Sequence, residues 1–244
     1  MLAELTIVIP AKNEREVLPL LLKSLAKQDY PGLWETRVLV ADAGSTDGTA
    51  ELAMEFANRL RVEVIEGGLP AVGRNAGARL AKSRYVLFLD ADVELKDTTL
   101  LRRSMARMKQ EKLHLVTTSI ACKHGRFMDD VLYAGSNLMQ RVGAWLKPFA
   151  TGMFMLFERE AFWALGGFNE RALFAEDYLL SKGVARGRFQ IVQGKVLTTN
   201  RRFRSLGHGR MVLMFFQTML HSWDEGYFLR DRGYWAEPVV VARD

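Results

Sequence analysis

The chain has 244 residues, of which 49% are apolar and 25% charged. That is enough to bury one sizeable core and too apolar for wholesale disorder, while a single cysteine, Cys122, excludes an internal disulfide or a multi-cysteine metal cluster. The net charge of +6 favours anionic partners, but no zinc-finger spacing, RNP-type aromatic strand or clustered recognition helix accompanies it, so nucleic acid is not an expected partner.

Leu5-Thr6-Ile7-Val8-Ile9 is a β-type run that ends at Pro10 and is too short for a secretory core. No stretch approaches the ~20 apolar residues of a bilayer span, so a cytoplasmic location is expected, with the membrane surface as the one alternative resting place. Residues 16–27 repeat leucines at helical spacing (Leu18, Leu21, Leu22, Leu25), and residues 37–41 form a second strand. A helix over 49–60, a short strand over 62–65 and a helix over 73–82 follow. A fourth strand over 85–89 stops at Asp90. Continuous apolar strands separated by helices predict an α/β fold with a mostly parallel sheet covered on both faces. Ligands in such sheets bind at the carboxyl ends of the strands. The polar clusters Ala11-Lys12-Asn13-Glu14, Asp42-Ala43-Gly44-Ser45 and Asp90-Ala91-Asp92 all fall there.

The second half predicts a strand over 115–120, a helix over 129–146, a strand over 151–157 and a helix over 160–165. Gly166-Gly167-Phe168-Asn169 reads as a turn, 175–185 as a helix, and 189–192 and 196–199 as two short strands. A last amphipathic helix over about 209–225 carries Val212, Phe215, Phe216, Met219, Leu220 and Trp223 on one side. No repeat or linker divides the chain. It reads as one domain, with a nucleotide-binding half over about 1–112, an acceptor half over about 113–204 and a helical extension over about 205–244.

Asp90 and Asp92, one residue apart at a strand end, can approach a divalent cation that also grips a diphosphate. Oxygen ligands suit Mg²⁺ or Mn²⁺, which take further ligands from water and substrate phosphates. Such pairs also occur in solvated loops, but the position directly after Val86-Leu87-Phe88-Leu89 favours the ligand role. In the second cluster Gly44 and Gly48 allow tight turns and Asp47 can cap the next helix, while Asp42 stands where it could accept a hydrogen bond from a base.

Four motifs in order, Ile7-Val8-Ile9-Pro10-Ala11-Lys12-Asn13-Glu14, Asp42-Ala43-Gly44-Ser45-Thr46-Asp47-Gly48-Thr49, Gly73-Arg74-Asn75-Ala76-Gly77 and Phe88-Leu89-Asp90-Ala91-Asp92, resemble family 2 glycosyltransferases of the GT-A fold. The likeness continues through Gly166-Gly167-Phe168-Asn169 and Glu176-Asp177. It implies an inverting, metal-dependent transfer of sugar from a nucleoside-diphosphate donor to an acceptor hydroxyl, of the kind that builds cell-envelope polysaccharides or glycolipids. Pro10, Ala11, Asn13 and Glu14 would then line the nucleotide, with Asp42 at the base and Arg74 near the base or diphosphate. Asp90, Ala91 and Asp92 would serve ribose and metal. Many relatives carry a second aspartate where this chain has Ala43, so the motif leaves the donor's base open.

Glu176-Asp177 matches the family's acidic pair near the acceptor. The resemblance makes Asp177 the general base and Glu176 its neighbour or an acceptor ligand; a helix N-terminus favours such residues in any case. His208 resembles a histidine that completes the metal site in several GT-A enzymes. Arg201, Arg202 and Arg204 suit a diphosphate, an acidic acceptor or plain solvation. The Gln-x-x-Arg-Trp motif of processive relatives is absent from the sequence, which favours transfer of one sugar. The last helix suits covering the sheet, forming a homodimer or docking on a membrane to reach a lipid-linked acceptor or polysaccharide precursor, with Arg210, Arg230, Arg232, Trp145, Lys147 and Phe149 as helpers. A nucleotidyltransferase is the nearest enzyme alternative, but its Gly-rich loop is missing after Ile9, as is the Gly-x-Gly-x-x-Gly of an oxidoreductase. A non-catalytic sugar or nucleotide binder of the same fold is the other alternative.

Overall fold

The structure, a computed structural model, describes residues 3–232; the end of the expected helical extension, 233–244, lies outside the described residues. Seven strands form one sheet in the order β3-β2-β1-β4-β6-β5-β7. These are β1 (Leu5–Ala11), β2 (Arg37–Asp42), β3 (Arg61–Glu66), β4 (Tyr85–Phe88), β5 (Leu115–Cys122), β6 (Met155–Glu158) and β7 (Phe189–Thr198). The pairings β1–β2, β2–β3, β1–β4 and β5–β7 are parallel, and β6 alone runs against its neighbours β4 and β5. The mostly parallel sheet read from the sequence is thus the observed one.

Its helices cover both faces. Leu5, Ile7 and Ile9 of β1 pack with Leu18, Leu21, Leu22 and Leu25 of α1 (Leu18–Leu25), while Val8, pointing the other way, packs with Phe88, Phe157, Phe162 and Phe168. The alternation of the strand assigns each side chain its layer. Helix α2 (Thr49–Met54) follows β2, and α3 (Pro70–Leu80) follows β3 and lies against β1 and β2.

Several elements differ from the expectations. Helix α4 (Leu100–Gln110) was assigned to no element. Its buried Leu100, Leu101, Ser104, Met105 and Met108 keep helical spacing, but arginines and lysines break up the apolar signal. Helix α5 (Phe127–Leu146) matches the expected helix, and α6 (Arg159–Ala164) follows β6 directly. Helix α7 (Glu176–Ser181) is shorter than expected. The two strands expected near 189–199 are one, β7. Its pairing with β5 skips from Val192 to Lys195, so Gln193 and Gly194 bulge out and the apolar pattern changes phase. The arginine cluster forms its own helix, α8 (Arg201–Leu206), followed by α9 (His208–Leu220) and α10 (Glu225–Phe228).

Candidate active site

The parallel register brings the first two motifs together, since Ala11 at the end of β1 pairs with Asp42 at the end of β2. Beyond them the loops lock onto each other. Asn13, in a left-handed conformation with φ 53°, receives the Thr46 N–H on Oδ1 at 2.9 Å and donates its own N–H to Ser45 Oγ at 2.9 Å. The Glu14 N–H donates to Thr49 Oγ1. Asn13 is among the few residues for which positive φ costs little. Asp42 holds Ser45 through both its N–H and its hydroxyl, at 3.0 and 2.5 Å. The N-cap of α2 is Gly48 rather than Asp47, and Asp47 instead accepts the Thr49 N–H at 3.0 Å. A cleft of about 560 Å³ opens beside these turns, lined by Asp42, Ala43, Gly44, Val64, Ile65, Glu66 and Gly67. Two carboxylates at its wall can accept N–H bonds from a planar base. Gly67 permits the wall to close, because a Cβ there would lie 2.6 Å from the Ala41 carbonyl oxygen.

Arg74 joins the two halves of the molecule. Its side chain is only 3% exposed, with one amino group 2.5 Å from Asp90 Oδ1 and the other 2.5 Å from Glu176 Oε1. The guanidinium also lies 5.3 Å from the Phe168 ring centre, and its Nε has no hydrogen-bond partner. Burial works against the charge, but Asp90 and Glu176 outweigh it and hold the guanidinium more firmly protonated than usual. Arg74, expected near the donor's base or diphosphate, has both amino groups on carboxylates, an arrangement that orients Asp90 and Glu176.

Asp177 completes this cluster. Its Oδ2 accepts the Gly152 N–H at 2.7 Å and its Oδ1 the Tyr178 N–H at 2.7 Å. Burial, reinforced by the charge of Glu176 and opposed by Arg74, pushes its carboxyl up to about 6. Gly152 was not singled out in the sequence, yet a Cβ on it would lie 2.2 Å from an Arg74 amino nitrogen and 3.1 Å from Asp90 Oδ1. Asn75, part of the third motif, has a structural role as well. It receives the Phe168 N–H at 3.0 Å and donates to the Phe168 carbonyl and to Glu170, both at 2.8 Å, fastening the Gly166–Asn169 turn to α3.

Asp92 faces the chain that leaves β7. Its Oδ2 accepts the Thr199 hydroxyl at 3.1 Å, and Arg201 approaches the same oxygen at 3.9 Å while forking onto Glu14 at 2.7 and 2.8 Å. Burial first, and then the charge of Asp90, raise the proton affinity of Asp92. A divalent cation would relieve that repulsion, and two hard carboxylates suit Mn²⁺ or Mg²⁺. Among the described residues no three His, Cys, Asp or Glu side chains converge as a ligand set, so the remaining positions would fall to phosphate and water. His208, expected at the metal, instead sits with Nε2 2.6 Å from Asp129 Oδ1 and its ring stacked 5.3 Å from Phe203. The reason is topological: α9 begins against the start of α5, and Asp129 is the carboxylate it meets there. Asp129 is held down to about 2, first by Asn200 and then by the Arg126 N–H and His208.

Residues 6–166, more than half of the chain, match the sequence profile of Glycosyl transferase family 2. The chain belongs to that family. It is 30% identical over 238 residues to the 4,4'-diaponeurosporenoate glycosyltransferase of Staphylococcus haemolyticus, covering 90% of this chain and 60% of the relative. It is also 34% identical over 99 residues to the poly(ribitol-phosphate) beta-N-acetylglucosaminyltransferase TarS of Staphylococcus aureus, covering 39% of this chain and 17% of the relative. The chain thus spans less than two thirds of the length of either. Among solved structures, the mannosyltransferase PcManGT of Pyrobaculum calidifontis, in complex with GDP-Man and Mn²⁺, superposes with a TM-score of 0.69 at 22% identity, covering 89% of this chain and 64% of that one. S. aureus TarS 1-349 with UDP-GlcNAc gives 0.62 at 24% identity, covering 81% and 59%. These likenesses show the GT-A fold.

Proposed function

We propose that the protein transfers one sugar, with inversion, from a nucleoside-diphosphate donor to an acceptor hydroxyl, with Asp177 as general base. One observation carries the reading: Arg74 ties Asp90, at the end of β4, to Glu176, at the head of α7, so one guanidinium bridges the two carboxylate motifs. The donor's nucleotide lies along the ends of β1 and β2, its base in the cleft between Asp42 and Glu66. Relatives that carry UDP-GlcNAc or GDP-Man support a nucleotide-sugar donor and leave the base to experiment. Asp90 and Asp92 would hold Mn²⁺ or Mg²⁺, which when bound neutralises charge on the departing diphosphate. Asp177, held by the Gly152 and Tyr178 N–H groups, faces the acceptor and takes its hydroxyl proton as the oxygen attacks the anomeric carbon. A carboxyl near 6 is ionised at neutral pH yet more basic than a free aspartate, which suits that task.

The test is a thermal-shift screen of nucleoside diphosphates and their sugars with and without Mn²⁺, followed by donor turnover. One nucleotide is expected to raise Tm in a metal-dependent way. Asp177→Asn should keep that shift while lowering kcat by about 10²–10⁴-fold. If no nucleotide shifts Tm, or if Asp177→Asn turns over normally, the reading fails.

A further inference from the structure

Helix α5 turns an apolar face to solvent. The only residues it buries are polar, Asp129 and Gln140. Its opposite side shows Phe127, Val131, Leu138, Val142 and Trp145 to solvent, with Phe127 82% and Trp145 80% exposed. At 3.6 residues per turn these five fall within an arc of about 60°. Helix α9 buries none of its residues and adds a second stripe of Leu213, Phe216 and Leu220, continued by Trp223. The two helices lie side by side and run the same way. Their starts meet through His208 and Asp129, and beyond their ends Lys147 sits 5.3 Å from the Trp223 ring centre. Among the described residues nothing covers these two exposed apolar stripes, while Tyr133 and Ala144 of α5 and Met211, Val212, Met214 and Phe215 of α9 turn toward the protein.

The surrounding charge says which kind. No Asp or Glu occurs from Val131 to Phe157 or from Tyr178 to Trp223. Exposed Arg141, Lys147, Arg204 and Arg210 lie on these helices or at their ends. A second copy docking through the same face would bring these cations against each other. An anionic bilayer surface would instead take the apolar stripe into its acyl boundary and the cations among its headgroups. No helix among the described residues is long and apolar enough to cross a membrane, so the contact lies on the surface.

We infer that α5 and α9 together form a docking face for an anionic phospholipid surface. The chain between β7 and α9 is bonded to the cleft through Thr199 and Arg201, so docking brings the cleft to the lipid. If the transferase reading holds, the acceptor is an amphiphile carried in that surface.

Flotation of the full chain with phosphatidylcholine vesicles, with and without phosphatidylglycerol, tests this. The protein should float with the anionic vesicles and be released by salt. The double variant Trp145→Ser/Leu220→Gln, exposed at both positions, should partition more than about tenfold less. Arg141→Gln/Arg210→Gln should lose about fivefold per arginine, on anionic vesicles only. Folded protein that stays off anionic vesicles at low salt overturns the inference, whether it remains monomeric or self-associates through these residues by light scattering. Nucleotide thermal shifts on the same sample separate the two readings. A chain that binds nucleotide but no vesicle loses only the docking face, and one that floats but ignores every nucleotide loses only the transferase assignment.

Discussion

Arg74, Asp90, Glu176 and Asp177 form a buried group in which one cation faces three carboxylates, and Gly152 leaves the space they occupy. Gly152→Ala would press a methyl group into the Arg74–Asp90 pair. It should lower kcat/KM by more than about tenfold while costing about 1–3 kcal/mol of stability by urea denaturation. Arg74→Met should be worse, at about 3–5 kcal/mol, because it leaves the buried Glu176 carboxylate and the half-buried Asp90 unpaired. Asp177 makes a separate prediction about pH. Its carboxyl sits near 6 in the folded protein against 3.8 for the free group. Between those values the folded state holds a proton that the unfolded state has lost, so stability falls as pH rises through that window and levels off above it. The contribution is at most of order 3 kcal/mol. Asp177→Asn should flatten that slope between pH 4 and pH 6, while the wild-type rate climbs through pH 6. At this scale Asp90 and Asp92 are legible in the sequence because a strand end flags them, and Glu176 and Asp177 through the family's acidic pair. The position of Gly152 and the role of Asn75 are not legible there, since both lie in contacts made across 74–177 rather than in any local pattern.

Strands β1 to β5 and the first three helices are readable because each has one uninterrupted period, whereas β7 changes phase at its bulge. Helix α3 is the sharpest case: Gly77 lies so close to β1 that a Cβ would meet a Val8 methyl carbon at 2.4 Å. Gly77→Ala should therefore destabilise by about 1–3 kcal/mol in urea, as α3 is levered from the sheet, even though alanine is the better helix former. Helices α4 and α8 escaped for a physical reason. The buried stripe of α4 is narrow and set among cations, and α8 buries no residue at all. What holds α8 is charge, chiefly the fork from Arg201 to Glu14, and ion pairs leave no periodic mark in a sequence. The Asp129 partner of His208 is equally invisible to a local pattern. A histidine's partner depends on where its helix is delivered, and Asp129 is 79 residues away.

On the scale of the whole molecule, the mostly parallel sheet is legible, but the strand order beyond β4 is not. The chain passes over the neighbouring position, lays down β5 one place further out, and returns with β6 to fill the gap. No apolar pattern encodes that detour. It has a consequence for synthesis. Until residues 155–158 emerge from the ribosome, the flank of β4 stays open, with the backbone groups of Tyr85 to Phe88 ready to pair with any strand that arrives. A chain halted after residue 112 would expose that seam permanently and should clump rather than fold. Lengthening it past 198, so that β6 fills the gap and β7 covers β5, should give a species that stays dispersed and melts in one step.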